Sequence, residues 1–233
     1  MNSKTVTSSP AEIFFNQAGV FLVDKPSGPT SHDVVAWARR LIGTKKIGHT
    51  GTLDPLASGL LIILVGRKFT RLQAEFLKQD KTYLVGGQLG LVSDSYDVMG
   101  KISQFSSPSR KITAKELTDA LPKFVGRLKQ TVPAFSAVKL KGKKLYQLAR
   151  KGQIASGDLP QKEIEIYAIK LLSFEYPNFV LEVSCSSGTY IRSLIHDLGQ
   201  ELNVGAVVSS LRRLKIGQYS VSQAQLCPYF TRR

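Results

Sequence analysis

The sequence contains little cysteine, few acidic residues and no long apolar run, and each shortage excludes a class of protein. Its 233 residues include two cysteines, Cys185 and Cys227, which are far apart and give neither a disulfide framework nor a zinc-ligand spacing. This cysteine usage suits a reducing compartment, and we expect the cytoplasm. No apolar run approaches the ~18 residues of a membrane span. The N-terminus lacks the basic and apolar regions of a signal peptide.

The sequence also lacks several catalytic and metal-binding patterns. Its three histidines share no metal-ligand spacing, so we predict no metal site. Gly43 and Gly48, followed by His49-Thr50, approach a phosphate-binding P-loop. However, His49 stands where that loop needs a lysine, and a predicted helix precedes it where a strand is required. No serine lies in a nucleophile-elbow pattern.

Positive charge is what the chain has in excess. Lys and Arg number 32 against 17 Asp and Glu, a formal net charge of +15. Such an excess favours a polyanionic partner, nucleic acid first. Residues 120–157 contain no Asp or Glu. They contain nine cations, namely Lys123, Arg127, Lys129, Lys139, Lys141, Lys143, Lys144, Arg150 and Lys151. Interleaved aromatic residues suit phosphate contacts combined with base stacking. A solvated basic surface is the alternative interpretation.

Apolar patterns predict a mixture of strands and helices. Strands are predicted at 19–24, 60–65, 81–91, 164–174, 179–185, 207–214 and 218–221. Helices are predicted at 32–42 with Ser31 as the N-cap, at 69–77, after Thr113, and from the segment at 186–192 to about 202. Residues 1–18 are expected to form a loose leader. We expect residues 19–233 to form one domain with an insertion at about 105–160.

Residues 48–59, GHTGTLDPLASG, carry the strongest functional signal. They hold a single carboxylate, Asp54, among three glycines. Glycine allows a backbone to approach a ligand closely, and Pro55 biases Asp54 toward an extended conformation. A lone Asp on such a loop, beside a strand that can fix it, is a candidate nucleophile or acid/base. A plain Asp-Pro turn is the alternative.

This loop resembles that of the TruB family of tRNA pseudouridine-55 synthases. Further segments similar to the family follow in the expected order: DKP at 24–26, KTY at 81–83, PAFSAVK at 133–139, GTYIR at 188–192 and LRR at 211–213. The resemblance covers about residues 19–226. It implies an α+β pseudouridine synthase fold, with a mixed, largely antiparallel sheet flanked by helices and a basic RNA-gripping insertion. Many relatives continue into a C-terminal PUA-type domain, which we expect this chain, ending at Arg233, to lack.

The resemblance also implies site residues. Asp54 would be the nucleophile and Arg192 the partner that keeps it charged, since a buried carboxylate needs one. By its position alone, in a predicted first helical turn, Arg192 could equally be a solvated surface residue. Tyr83 would stack on the uracil or take a proton from the ribose, and both roles stay open. The remaining positions would bind substrate: Lys25, Tyr190 and Leu211 as the pocket wall, His49 by stacking, and Lys139 in the insertion.

The implied reaction isomerises uridine 55 in the T loop of tRNA to pseudouridine. The base must be flipped into a pocket, and nothing is oxidised, so neither a cofactor nor a metal is implied. The expected partner is the T arm of tRNA, bound by a monomer. A non-enzymatic RNA-binding module is the competing hypothesis, and a synthase acting on another RNA is a third. The joint presence of Asp54, Tyr83 and Arg192 favours the enzyme, because binding alone requires none of them as a set.

Overall fold

The computed structural model describes residues 18–105 and 110–227, so the predicted leader lies outside the described residues except for Ala18. The chain forms two compact units. The first unit comprises the residues up to 79 together with those from 212 onward, and the second comprises residues 80–211. The expectation of a single domain with an insertion stays a prediction.

The described residues form short and long strands joined by six helices. The strands are β1 (Gly19–Lys25), β2 (Ile47–Thr50), β3 (Ser58–Val65), β4 (Lys81–Leu89), β5 (Leu91–Ser93), β6 (Ile102–Gln104), β7 (Gly126–Thr131), β8 (Lys139–Leu140), β9 (Lys143–Lys144), β10 (Gln161–Glu175), β11 (Asn178–Cys185), β12 (Ala206–Ile216), β13 (Tyr219–Ser220) and β14 (Gln225–Leu226). The helices are α1 (Ser31–Ile42), α2 (Arg67–Thr70), α3 (Gln73–Lys78), α4 (Ala114–Ala120), α5 (Leu145–Arg150) and α6 (Ile191–Glu201), with 3-10 turns at Leu121–Phe124, Ser156–Asp158 and Val221–Gln223.

Strand β3 is the centre of the first unit. It pairs antiparallel with β1 and with β2, and Arg212 and Arg213 of β12 pair parallel with its first residues. Residues 60–65 of β3 are at most 2% exposed. A continuous apolar run buried on both faces is typical of a central strand. The predicted strand at 60–65 is therefore confirmed, and it begins two residues earlier than expected.

Helix α1 confirms the prediction at 32–42, but its N-cap is Thr30 rather than Ser31. The Thr30 hydroxyl accepts a hydrogen bond from the Asp33 amide, and the Asp33 carboxylate accepts one from the Thr30 amide. This reciprocal capping box fixes the helix start one residue earlier. Ser31 is buried and contacts Leu53 instead.

The predicted helix at 69–77 is wrong in its continuity, because the segment forms two short helices. Leu72 lies between α2 and α3 with φ −81° and ψ 0°, which is not helical. Its amide donates to the Phe69 carbonyl at 2.9 Å and so closes a tight turn. Beyond this turn, Phe76 of α3 packs into the core cluster with Leu60, Ile62 and Leu64.

The second unit is built on antiparallel strands. Strand β11 pairs with β4 and with β10, and β10 also pairs with β7. The predicted strand at 81–91 ends at residue 89, because Gly90 adopts φ +87° and separates β4 from β5. The α+β class with mixed, mostly antiparallel strands and flanking helices is confirmed. No helix in the described part of the chain combines the length and the apolar character that a bilayer crossing requires.

Candidate active site

The loop that carries Asp54 joins β2 to β3 and is fixed by hydrogen bonds to the segment that leads into α1. The Leu53 amide donates to the Ser31 hydroxyl at 2.8 Å, and this hydroxyl lies 3.2 Å from the Leu53 carbonyl, to which it donates. The Gly28 amide donates to the Pro55 carbonyl at 2.8 Å. The residues on both sides of Asp54 are therefore held in place, and Asp54 itself is half-buried.

Arg213 supports the same loop from β12. Its side chain is 1% exposed, and it donates from Nε to the Leu60 carbonyl at 2.8 Å and from Nη2 to the Gly51 carbonyl at 3.0 Å. Gly59 pairs with Arg213 and has φ +99°, and a Cβ atom there would lie 2.3 Å from the Arg213 carbonyl oxygen. Only glycine fits this close approach. In the sequence, Arg213 is marked only by its place in LRR, and nothing local predicts its burial.

The neighbouring arginine in LRR has a different partner. Arg212 makes two parallel hydrogen bonds to the Asp24 carboxylate, at 2.9 Å and 2.6 Å. A bidentate arginine–carboxylate pair fixes orientation as well as distance. This pair ties β12 to β1 at Asp24, the residue that directly precedes Lys25.

Lys25 is a buried amine in the field of Asp54. It is 0% exposed, and its Nζ atom donates to the carbonyls of Pro26 at 2.8 Å and Pro29 at 2.7 Å. Burial lowers the pKa of Lys25 to about 8, and the negative charge of Asp54 opposes that shift. The structure therefore brings the predicted nucleophile and one predicted pocket residue into electrostatic contact within the first unit.

His49 is held as a neutral ring. Burial, assisted by the charges of His32 and Arg213, lowers the pKa of His49 to about 4. His32 is exposed, and its ring meets the His49 ring edge-on with centroids 5.3 Å apart. Gln73 donates to the His49 carbonyl at 2.8 Å. An uncharged imidazole agrees with a stacking role better than with proton transfer at neutral pH.

Arg192 is buried in the second unit, so the interpretation as a solvated surface arginine is wrong. It is 4% exposed and lies second in α6. Its guanidinium donates to the carbonyls of Ser95 at 2.7 Å and Phe135 at 2.9 Å. Its Nε atom lies 3.7 Å from a carboxylate oxygen of Asp97. Carbonyl and carboxylate oxygens together offset the cost of burying this cation.

Asp97, the acidic partner of Arg192, was not among the predicted site residues. It is 5% exposed, and its carboxylate accepts hydrogen bonds from the Ser95 hydroxyl at 2.6 Å and the Met99 amide at 3.0 Å. The only signal in the sequence is an acid within a short Ser- and Gly-containing turn, which is common on any protein surface.

The other predicted site residues lie on separate elements of the second unit. Tyr190 directly precedes α6 and stands two positions from Arg192. Tyr83 is 9% exposed on β4, opposite Val183 of β11. Leu211 is the last residue of β12 that belongs to this unit, and Lys139 is exposed on β8. In the described residues no group of three or more His, Cys, Asp or Glu side chains could hold a metal ion.

The nine cations between residues 120 and 157 are all exposed. Lys123 and Arg127 form ion pairs, with Glu201 and Glu165 respectively. The lysines of β8 and β9 stand on a hairpin whose turn residues, Lys141 and Gly142, both have positive φ, 48° and 82°. This is the turn geometry that two-residue hairpins favour.

Comparison with solved structures identifies the class of fold. The chain is similar to a chain of a Cbf5-Nop10-Gar1 complex (30% identity, TM-score 0.68) and to a chain of an H/ACA RNP bound to a substrate RNA containing 2′-deoxyuridine (28% identity, TM-score 0.67). Each match covers 94% of this chain. The chain spans about half of the matched chains, 55% and 53%.

Comparison with family models and curated proteins is more specific. Residues 39–191 match the TruB family pseudouridylate synthase N-terminal domain, so the chain is an enzyme of the pseudouridylate synthase class. Residues 192–228 match the tRNA pseudouridylate synthase B C-terminal domain. The chain belongs to the TruB family, as its motifs predicted.

Two curated relatives show the extent of this similarity. A tRNA pseudouridine synthase B of Chlamydia felis is 45% identical over 206 residues, covering 88% of this chain and 85% of that protein. The Fusobacterium nucleatum tRNA pseudouridine synthase B is 41% identical over 203 residues, covering 87% and 69%. The similarity therefore extends over most of the length of this chain and of each relative.

Proposed function

We propose that this protein isomerises uridine 55 in the T loop of tRNA to pseudouridine, with Asp54 as the nucleophile. The names of the curated relatives, tRNA pseudouridine synthase B, support tRNA as the substrate. The observation that carries the proposal is the setting of Asp54. It is the only acid between residues 34 and 74, on a loop whose neighbouring residues are fixed from two sides. A carboxylate held this way is pre-positioned for attack.

The proposed reaction conserves every atom of the substrate. The bond between N1 of uracil and C1′ of ribose breaks, the base turns, and C5 bonds to C1′. The proton that C5 loses is balanced by the proton that N1 gains, so neither an oxidant nor water is needed. The target base must leave its stack to reach Asp54. Water must be excluded while the sugar is detached, because hydrolysis would compete.

A cation lies in the field of the predicted nucleophile. The negative charge of Asp54 opposes the lowering of the Lys25 pKa by burial, so the two groups attract each other. The role of Arg192 as the second partner of Asp54 stays a prediction. So do the two alternative roles of Tyr83, the binding roles of Tyr190, Leu211 and Lys139, the cytoplasmic location and the monomeric state.

Two exposed sets of cations support an RNA partner. One is the lysine-rich hairpin of the second unit. The other lies in the first unit, where the Gly66 amide donates to the Lys46 carbonyl at 2.7 Å and brings two basic segments together. Its members are exposed: Arg39, Arg40, Lys45, Lys46, Arg67, Lys68 and Arg71. Cations on a phosphate backbone release counterions, which is the main source of nucleic-acid affinity.

The experiment that tests the proposal compares wild type with Asp54→Asn on an unmodified tRNA transcript. Asparagine keeps the shape but loses the nucleophilic charge. We therefore expect tRNA affinity to persist, while pseudouridine formation falls by ~10⁴-fold or more, as when other nucleophiles are removed. Modified positions are mapped, and the exposed Asp158→Asn serves as the matched control, with wild-type activity.

Two results would contradict the proposal. Multiple turnover by purified Asp54→Asn would remove the nucleophile assignment. Pseudouridine at a position other than 55, or only in a different RNA, would remove the substrate assignment and leave the chemistry standing.

A further inference from the structure

Strand β7 and the residues that follow it, up to Phe135, are joined to the start of α6 at three points. Gln130 contacts Tyr190, the Thr131 carbonyl accepts a hydrogen bond from the Ser193 hydroxyl at 2.9 Å, and the Phe135 carbonyl accepts one from Arg192. All three contacts lie within the second unit. They connect the RNA-gripping segment with the helical turn that holds the predicted catalytic arginine.

The contact made by Gln130 is the most constrained of the three. Its side chain is 4% exposed on β7. The amide nitrogen donates to the Tyr190 carbonyl at 3.0 Å, and the amide oxygen accepts from the Tyr190 amide at 2.8 Å. One planar side chain therefore satisfies both backbone groups of one residue. No other neutral side chain of similar length offers a donor and an acceptor in this arrangement.

Tyr190 is the residue whose backbone sets the direction of α6. It precedes the helix with φ −98° and ψ 104°, and its own side chain makes no capping hydrogen bond. Gln130 thus supplies the fixed point from which the first turn begins. Arg192 follows two residues later and reaches the carbonyls of Ser95 and Phe135. A small rotation of this turn would displace the end of a side chain as long as arginine by far more than the backbone.

The same segment also carries the lysine-rich hairpin. The Tyr146 amide donates to the Ser136 carbonyl at 3.0 Å, and the Leu145 amide donates to the Val138 carbonyl at 2.8 Å. The hairpin and α5 are therefore attached to the residues that immediately follow Phe135. Strand β7 is anchored by its pairing with β10, and Gln130 links this anchored strand to the start of α6.

We infer that Gln130 is a positioning residue, which fixes the start of α6 against β7 and so orients Arg192 when RNA occupies the insertion. The inference rests on the proposed function, because Arg192 is catalytic only if that function is correct. Gln130 is buried and is not one of the predicted substrate-binding residues. Its loss should therefore change the chemical step and leave RNA affinity nearly unaltered.

The test measures tRNA affinity and the single-turnover rate at saturating tRNA for Gln130→Met, which keeps the length but loses both hydrogen bonds. We expect a rate ~10- to 100-fold below wild type, the size that follows from the removal of one or two buried hydrogen bonds, with affinity unchanged. Gln200→Met, on the exposed face of α6, is the control and should keep wild-type values. Ser193→Ala removes the second of the three contacts with little risk to folding, and should lower the rate by a smaller factor.

A double-mutant cycle separates positioning from general stability. If Gln130 acts through Arg192, then Gln130→Met should add little to the defect of Arg192→Lys, because residues in one network are not additive. Multiplicative defects, or a wild-type rate in folded Gln130→Met, would overturn the inference. If Gln130→Met fails to fold, Ser193→Ala decides alone. A wild-type protein inactive on tRNA would instead overturn the proposed function.

Discussion

At the residue scale, the predicted nucleophile Asp54 interacts electrostatically with Lys25. Lys25 is fully buried, with two carbonyl acceptors on its ammonium group. Burial alone would favour the neutral amine, and the Asp54 charge resists this. The charge of Asp54 therefore contributes to the titration of Lys25.

This coupling predicts the effect of Asp54→Asn on Lys25. The charge of Asp54 is the largest effect that raises the pKa of Lys25 against burial. When this charge is removed, the pKa of Lys25 should fall below its wild-type value of about 8. The amine would then be mostly neutral at pH 8. Side-chain NMR of Lys25 across a pH titration measures this directly. Glu75→Gln, an exposed change in the same unit, should leave the Lys25 titration where it is, and an equal or raised value in Asp54→Asn would refute the coupling.

The sequence located some site residues well and others not at all. The loop around Asp54 was recognisable because its glycines, proline and carboxylate are contiguous. Asp97 was not, because its partner Arg192 comes from a distant part of the chain and nothing local marks the pair. The burial of Arg213 and Lys25 was hidden for the same reason. Both side chains bond to main-chain carbonyls, which every residue type has, so the sequence does not reveal these partners.

At the element scale, α6 carries a carboxyl group that the fold disfavours in its charged form. Burial raises the pKa of Asp197 from 3.8 to about 6. Between these two values the folded state holds a proton that the unfolded state has released. Stability from this group therefore decreases as pH rises from about 4 to 6, and the full penalty is present at neutral pH.

We accordingly predict that Asp197→Asn stabilises the protein at pH 7.5, by about 1–2 kcal/mol once partial exposure is allowed for. The gain should shrink toward zero near pH 4, where the wild-type carboxyl is neutral as well. Urea unfolding of both proteins at pH 7.5 and pH 4.5 measures the difference. Asp158→Asn, at an exposed site of the same unit, should show no gain at either pH. Equal unfolding free energies at pH 7.5 would mean that Asp197 is adequately solvated.

Elements were predictable where one dominant pattern spans them. Strands β1, β3 and β11 and helices α1 and α6 are long or apolar enough to show their period. Strand β2 was missed because its four residues, Ile47–Thr50, have no length over which to alternate. The break at Leu72 was missed because no glycine or proline marks it, and tertiary packing of Phe76 decides it.

At the scale of the whole molecule, the net charge is +15, and two exposed basic sets contribute part of it. Net charge steers a polyanion toward the protein from a distance, whereas local contacts hold it. These two contributions can be separated, because the chain offers lysines that are equally exposed but scattered.

We predict that neutralising Lys139, Lys141, Lys143 and Lys144 together weakens tRNA binding and flattens the log–log salt slope by roughly one unit for each phosphate that is no longer neutralised. Single-turnover chemistry at saturating tRNA should change much less. The control variant neutralises Lys78, Lys101, Lys170 and Lys215, which are exposed and dispersed, and also lowers the net charge by four. Affinity across a salt series is measured for both. Identical behaviour of the two variants would mean that only total charge matters.

The pairing within the lysine hairpin has a consequence for how salt acts on the protein. Lys139 stands directly opposite Lys144 in the β8–β9 register, and like charges in that position repel. Added salt screens this repulsion and thereby discourages fraying of the empty hairpin. The same salt weakens the attraction for phosphate. Added salt should therefore stabilise the free hairpin and weaken its binding to RNA. A bound polyanion neutralises the same lysines, so RNA binding should also stabilise the hairpin.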